Sequence, residues 1–142
     1  MALFVIALGL YYAYYYGVIY AYRYVTRGLL NPYAKNTEFL RTQLTVWYLA
    51  LALVNPFYEE LIVRAYVISK MEYLTGKVSV AVAASLLLQA AYHLYQGIFA
   101  GLGLCLIFLV FSVYYVRSRR IMPVILAHLY LDLNAMLQSA LF

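Results

Sequence analysis

Six ionisable side chains lie inside apolar stretches of this 142-residue chain: Glu59, Glu60 and Arg64 in one, His93 in another, His128 and Asp132 in a third. A charge at bilayer depth costs about 2.5 to 3.5 kcal/mol on insertion scales, so each of these residues needs a reason. Glu60 and Arg64 are i, i+4, as are His128 and Asp132, so each pair shares a helix face, with Glu59 turned by roughly 100° from Glu60. A desolvated Glu59 or Glu60 suits proton abstraction from a water aimed at a carbonyl. His93 would position that water or protonate a leaving amine, and His128 with Asp132 would stabilise an oxyanion. That is peptide hydrolysis without a Ser or Cys nucleophile. Alternatively, Glu59, His93, His128 and Asp132 offer a two-His, carboxylate ligand set for a divalent metal such as zinc, which would activate the water itself. The H-E-x-x-H zinc signature is absent, and the residues alone leave both routes open. Each residue also has a purely structural reading: Arg64 neutralising a buried Glu60, a histidine packed and hydrogen-bonded, Asp132 orienting His128.

The elements that must position these groups are membrane helices. With 68% hydrophobic and 11% charged residues, the chain falls outside the range of soluble domains. A net charge of +5 could suggest nucleic acid, but Lys and Arg stand at the ends of apolar runs, where they meet lipid head groups and set topology. Nucleic acid is therefore not an expected partner; membrane lipids are. Cys105 is the single cysteine, which excludes an intrachain disulfide, and the 18 tyrosines suit membrane interfaces near helix ends.

Ala2 to Tyr22 form a first apolar run without a basic lead or a clear cleavage site, so a retained helix is expected rather than a signal peptide. A polar connection follows, with Arg23, Arg27, Gly28, Asn31-Pro32, Lys35 and Arg41, and Asn36 or Thr37 as the cap of the next helix. The second helical region, about Phe39 to Tyr73, is too long for one straight span, and Pro56 predicts a kink or break at Val54 to Pro56 that admits water to the glutamates. Lys70, Glu72, Gly76 and Lys77 mark a turn before a third helix, Val78 to Tyr95, which Gly97 ends. A fourth, Ile98 to Val116, follows, and Gly97 just before it and Gly101 within it have the G-x-x-x-G spacing that permits close helix approach. Arg117, Ser118, Arg119 and Arg120 form a basic loop, and Pro123 opens a fifth helix.

The expected fold is an all-α polytopic membrane bundle of about five transmembrane helices, with the site buried between helices two, three and five. Residues 1–36 form an N-terminal helix and basic loop, and residues 37–142 the core. The loops at 70–77 and 117–120 fall on one side, read as cytoplasmic, together with the N-terminus. Counted at 1.5 Å per residue, Glu60 and His93 lie roughly 20 and 22 Å from the 70–77 turn and Asp132 roughly 14 Å from the neighbouring basic loop, so their depths overlap. If the three helices pack, they enclose one polar pocket.

Glu59-Glu60-Leu61-Ile62-Val63-Arg64 matches an E-E-x-x-x-R motif, Tyr92-His93-Leu94-Tyr95-Gln96-Gly97 is similar to the segment around a second-motif histidine, and His128-Leu129-Tyr130-Leu131-Asp132 matches H-x-x-x-[N/D]. In this order they resemble the CPBP intramembrane proteases, the CAAX prenyl protease and bacteriocin-processing (Abi) family, from about Thr37 onward. The resemblance implies an intramembrane endopeptidase with Glu59 on the water, Glu60 and Arg64 in support, and His93, His128 and Asp132 completing the site. It implies a peptide or protein substrate, prenylated CAAX tails in eukaryotic members and bacteriocin maturation or self-immunity in prokaryotic ones. Members are labelled metalloproteases, and a metal-free glutamate mechanism is also proposed for the family. The expected setting is a prokaryotic plasma membrane. Two departures stand out. Gln89 occupies the position, four before His93, where the family usually has Phe, and shares a helix face with that histidine. Asp132 replaces an Asn, and an ionised Asp cannot donate to an oxyanion.

Two other classes compete with an endopeptidase: a non-catalytic immunity or peptide-binding protein using the same pocket, and an ion or proton pathway built from the same carboxylates and histidines. The intact motif residues favour the endopeptidase.

Overall fold

The computed structural model describes residues 2–26 and 46–141, and all its regular elements are helical. Helix α1 spans Ala2–Thr26. A long rod follows, made of α2 (Val46–Glu59), a π-helical segment (Glu60–Ile68) and α3 (Ser69–Thr75). Then come α4 (Val78–His93), a 3₁₀ turn (Leu94–Gln96), α5 (Ile98–Ser118) and α6 (Met122–Leu141). The expected connection around Arg27, Lys35 and Arg41, with its caps at Asn36 or Thr37, lies outside the described residues.

Three stretches, Ala2–Thr26, Val78–Gln96 and Ile98–Ser118, are long and apolar enough to cross a membrane, and Met122–Leu137 is a shorter apolar helix. The chain is an integral membrane protein built as a helical bundle. Its outward surface is Leu, Val, Ile and Tyr, whereas Glu59, Glu60, Arg64, Ser85, Gln89, His93, Ser112 and His128 are buried. This inside-out distribution suits a solvent of lipid, where each helix satisfies its own backbone and polar side chains turn inward.

Chain direction follows from the ends. Arg119 Nη2 donates to both carboxylate oxygens of Glu72, at 2.8 and 2.7 Å, so the turn after α3 and the turn after α5 lie together. Leu3 and Arg117 line one groove, and Tyr22 meets Phe99 at 5.7 Å between ring centroids, so α1 runs antiparallel to α5 with its start on the Arg117 side. Gly76 (φ 65°) and Gly97 (φ 95°) end α3 and the 3₁₀ turn in backbone conformations that favour glycine.

Two expectations change. The rod does not break at Val54 to Pro56: Pro56 sits inside α2, buried, and the helix runs on through it. Proline removes one amide donor, a local defect that a packed helix tolerates. The irregularity comes one turn later, as the π segment. Close helix approach is also not at Gly97 and Gly101. A Cβ on Gly97 would meet nothing within 4 Å and one on Gly101 only the His93 carbonyl at 4.0 Å, whereas one on Gly103 would lie 2.9 Å from Tyr14 Cδ1. Of these three glycines, Gly103 is the one that α1 packs against, through Tyr14 and Tyr11.

Candidate active site

The carboxylates lie where α2 passes into the π segment, Glu59 closing the one and Glu60 opening the other. Both are buried, 7% and 0% exposed, with Arg64 fully buried beside them. Across from this rod, α4 presents Ala81, Ser85, Gln89 and His93 at every fourth position, all buried. His128 of α6 closes the third side, also buried.

The two glutamates have different partners. Glu60 Oε1 receives His128 Nδ1 at 2.6 Å and Arg64 Nη1 at 3.2 Å. Glu59 is held by carboxamides: Asn55 Nδ2 donates to Oε1, and Gln89 Nε2 donates to Oε2 at 2.9 Å. Glu59 Oε2 also lies 3.8 Å from His93 Nε2 and 3.8 Å from His128 Nε2. Asp132 Oδ1 is 3.6 Å from His128 Nε2, on a side chain 30% exposed. His93 Nδ1 is 3.3 Å from Gln96 Nε2. The aromatic wall is Phe108, whose ring centre lies 5.1 Å from the His93 ring, 6.0 Å from the His128 ring and 4.6 Å from Arg64 Cζ.

The structure thus brings Glu59, Glu60, Arg64, His93, His128 and Asp132 to one locus between the rod, α4 and α6. Arg64 meets Glu60 as the i, i+4 spacing predicts. Because the Nδ1 edge of His128 is taken by Glu60, Asp132 lies against the other edge, and Glu60 is the carboxylate that holds the ring. Four neighbours escaped assignment to the site, among them Tyr92, whose side chain hydrogen-bonds to Glu59. Gln89 and Asn55 each stand four residues before a site residue, His93 and Glu59, which is the one signal the sequence carries for them. Phe108 has none, being one apolar residue among many on α5.

Polar atoms 3.6 to 3.8 Å apart are too distant for direct hydrogen bonds and suit a bridging water. Among the described residues no group of three His, Cys, Asp or Glu side chains is set to hold a metal ion, the expected donors Glu59, His93, His128 and Asp132 included. What the arrangement offers chemically is a carboxylate oxygen 3.8 Å from two imidazole edges, close enough for a water seated to one side to touch both, with the charge of Glu60 already engaged.

A family model described as type II CAAX prenyl endopeptidase Rce1-like matches residues 41–134, which contain all six of these side chains. No curated protein and no solved structure matches.

Proposed function

The chain belongs to the type II CAAX prenyl endopeptidase Rce1-like family, and on that premise we propose that it is an intramembrane endopeptidase in which Glu59 activates a water for attack on a peptide bond. The observation that carries this reading is the position of Glu59 Oε2, 3.8 Å from the Nε2 atoms of both His93 and His128. A water seated beside the Glu59–His93 pair, rather than on the line joining them, can reach both at hydrogen-bond distance.

In this reaction Glu59 takes one proton from the water as its oxygen bonds to the substrate carbonyl carbon. Negative charge develops on the carbonyl oxygen beside His128. With Nδ1 tied to Glu60, His128 presents Nε2 to that oxygen, and in the imidazolium form this edge donates a hydrogen bond. Collapse of the tetrahedral intermediate breaks the C–N bond, and the proton held by Glu59 passes to the leaving nitrogen, directly or through His93. The products are a carboxylate and an amine. Asp132, partly exposed beside His128, attracts the imidazolium but cannot donate to the oxyanion while ionised.

The family description points to prenylated CAAX tails as the substrate class, and an apolar exterior around a polar site suits a substrate that arrives through lipid. The test is cleavage of a fluorogenic farnesylated CAAX peptide by purified protein in lipid nanodiscs, with its unprenylated form as comparison. Glu59→Gln removes the base while keeping the side chain's size, and loss of turnover with unchanged peptide binding is expected. Parental turnover in that variant would remove Glu59 from the mechanism. Tight binding without cleavage by the parent protein would favour a peptide-binding or immunity role.

A further inference from the structure

We propose that Gln89 is a positioning residue that separates the roles of the two glutamates, by taking a hydrogen bond from Arg64 and giving one to Glu59. Its amide has one possible orientation. Arginine only donates, so the atom 2.8 Å from Arg64 Nη1 is the carbonyl oxygen Oε1. The Nε2 group must then face the other way, where Glu59 Oε2 accepts from it at 2.9 Å. The chemistry of the neighbours fixes the amide without reference to the atom assignment.

The consequence is electrostatic. Arg64 Nη1 serves both Glu60 Oε1, at 3.2 Å, and Gln89 Oε1, while the other two guanidinium nitrogens have no partner. Glu60 therefore receives the cation directly, and Glu59 receives it only through a neutral amide. A guanidinium in direct contact with Glu59 would form the stronger, charge-assisted bond and draw Oε2 away from the imidazole edges. Held instead by the amides of Asn55 and Gln89, Glu59 is oriented without a guanidinium on its reacting oxygen. Gln89 is fully buried on α4, one turn from His93, so its position is set by the same helix face that carries the histidine. An aromatic or aliphatic side chain there could make neither bond.

This inference rests on Glu59 being the base, and its test has a readout that does not. In the nanodisc assay, Gln89→Met, close in size but unable to make either bond, should lower kcat about 10- to 100-fold, the usual loss when a supporting partner of a reacting group is removed, with KM unchanged. Gln89→Glu keeps the acceptor for Arg64 but sets a carboxylate against Glu59. It should lose kcat too, and because Gln89→Met adds no buried charge, a loss shared by both variants is one of positioning rather than of charge. Parental kcat in both variants would overturn the proposal. Independently of turnover, the side-chain amide NMR signal of Gln89, identified by its loss in Gln89→Met, should shift in Glu59→Gln and in Arg64→Met. An amide signal indifferent to both would also overturn it. A shifted signal together with full turnover in Glu59→Gln would leave the Gln89 contacts standing and overturn only the base.

Discussion

Arg64→Met is the substitution whose cost the structure defines best. Arg64 is fully buried, pairs with Glu60 at 3.2 Å, donates to Gln89 at 2.8 Å and lies over the Phe108 ring at 4.6 Å. Methionine fills part of the space against Phe108 but leaves Glu60 without its permanent cation and Gln89 Oε1 without a donor. Removing one member of a buried pair costs about 3–5 kcal/mol, mostly from the charge left behind. Because Glu60 keeps His128 at 2.6 Å, the low end applies, about 3 kcal/mol, a more than hundredfold change in the folding constant. The sign of the argument is tested by a second variant. In Arg64→Met/Glu60→Gln no orphaned charge remains and the new carboxamide oxygen still accepts from His128, so more than half the loss should be recovered. The assay is the unfolding midpoint in mixed SDS micelles followed by far-ultraviolet circular dichroism. A double variant as unstable as the single one would refute the orphaned-charge account, as would a single variant within about 1 kcal/mol of the parent.

Gly103→Leu should destabilise by about 1–3 kcal/mol or displace α1, because even its Cβ would meet Tyr14, while Gly101→Ala should unfold with the parent; the same titration checks both. Gly97→Ala should cost about 1–3 kcal/mol, since φ 95° strains any side chain although the space is open. Arg119→Ala removes an ion pair whose arginine is 47% exposed, so the loss should stay within about 1 kcal/mol and shrink further in high salt. Cleavage should survive EDTA, and purified active protein should carry less than one equivalent of zinc by elemental analysis. Loss of activity on chelation with recovery on adding zinc would restore the metal route.

The site residues are legible because the membrane makes each ionisable group conspicuous: Glu59, Glu60, Arg64, His93, His128 and Asp132 are anomalies in apolar runs. The helix ends are legible where Gly76, Gly97 and Pro123 punctuate them. The phase of each helix is not, because a rod apolar on most sides has no polar stripe to mark its outward face. Hence the π segment, which carries Glu60 and Arg64 into the site, leaves no trace in the hydropathy pattern. Gln89 illustrates a second limit. Its place four before His93 predicts contact with that ring, but its shorter bonds, to Arg64 and Glu59, join positions 25 and 30 apart along the chain. Gly103 shows a third: glycine spacing can suggest a close approach, but only the opposing Tyr14 says which glycine makes it.

The wide turn at Glu60–Ile68 also bears on how this chain can change in length. One residue added to or removed from a regular helix rotates everything beyond it by roughly 100° relative to what came before. In α4 or α5 such a change would turn His93 or Phe108 out of the bundle. A π turn is a place where the helix already carries surplus chain, so a single deletion there can be absorbed by tightening to α geometry while α2 and α3 keep their apolar faces in place. The cost would fall on the site, since Glu60 and Arg64 both lie in this segment and their register with His128 and Gln89 would change. Assembly in the membrane and alignment of the site are thus separable properties of this rod: a one-residue deletion inside Glu60–Ile68 should leave the bundle inserted and move Glu60 or Arg64 off its partners.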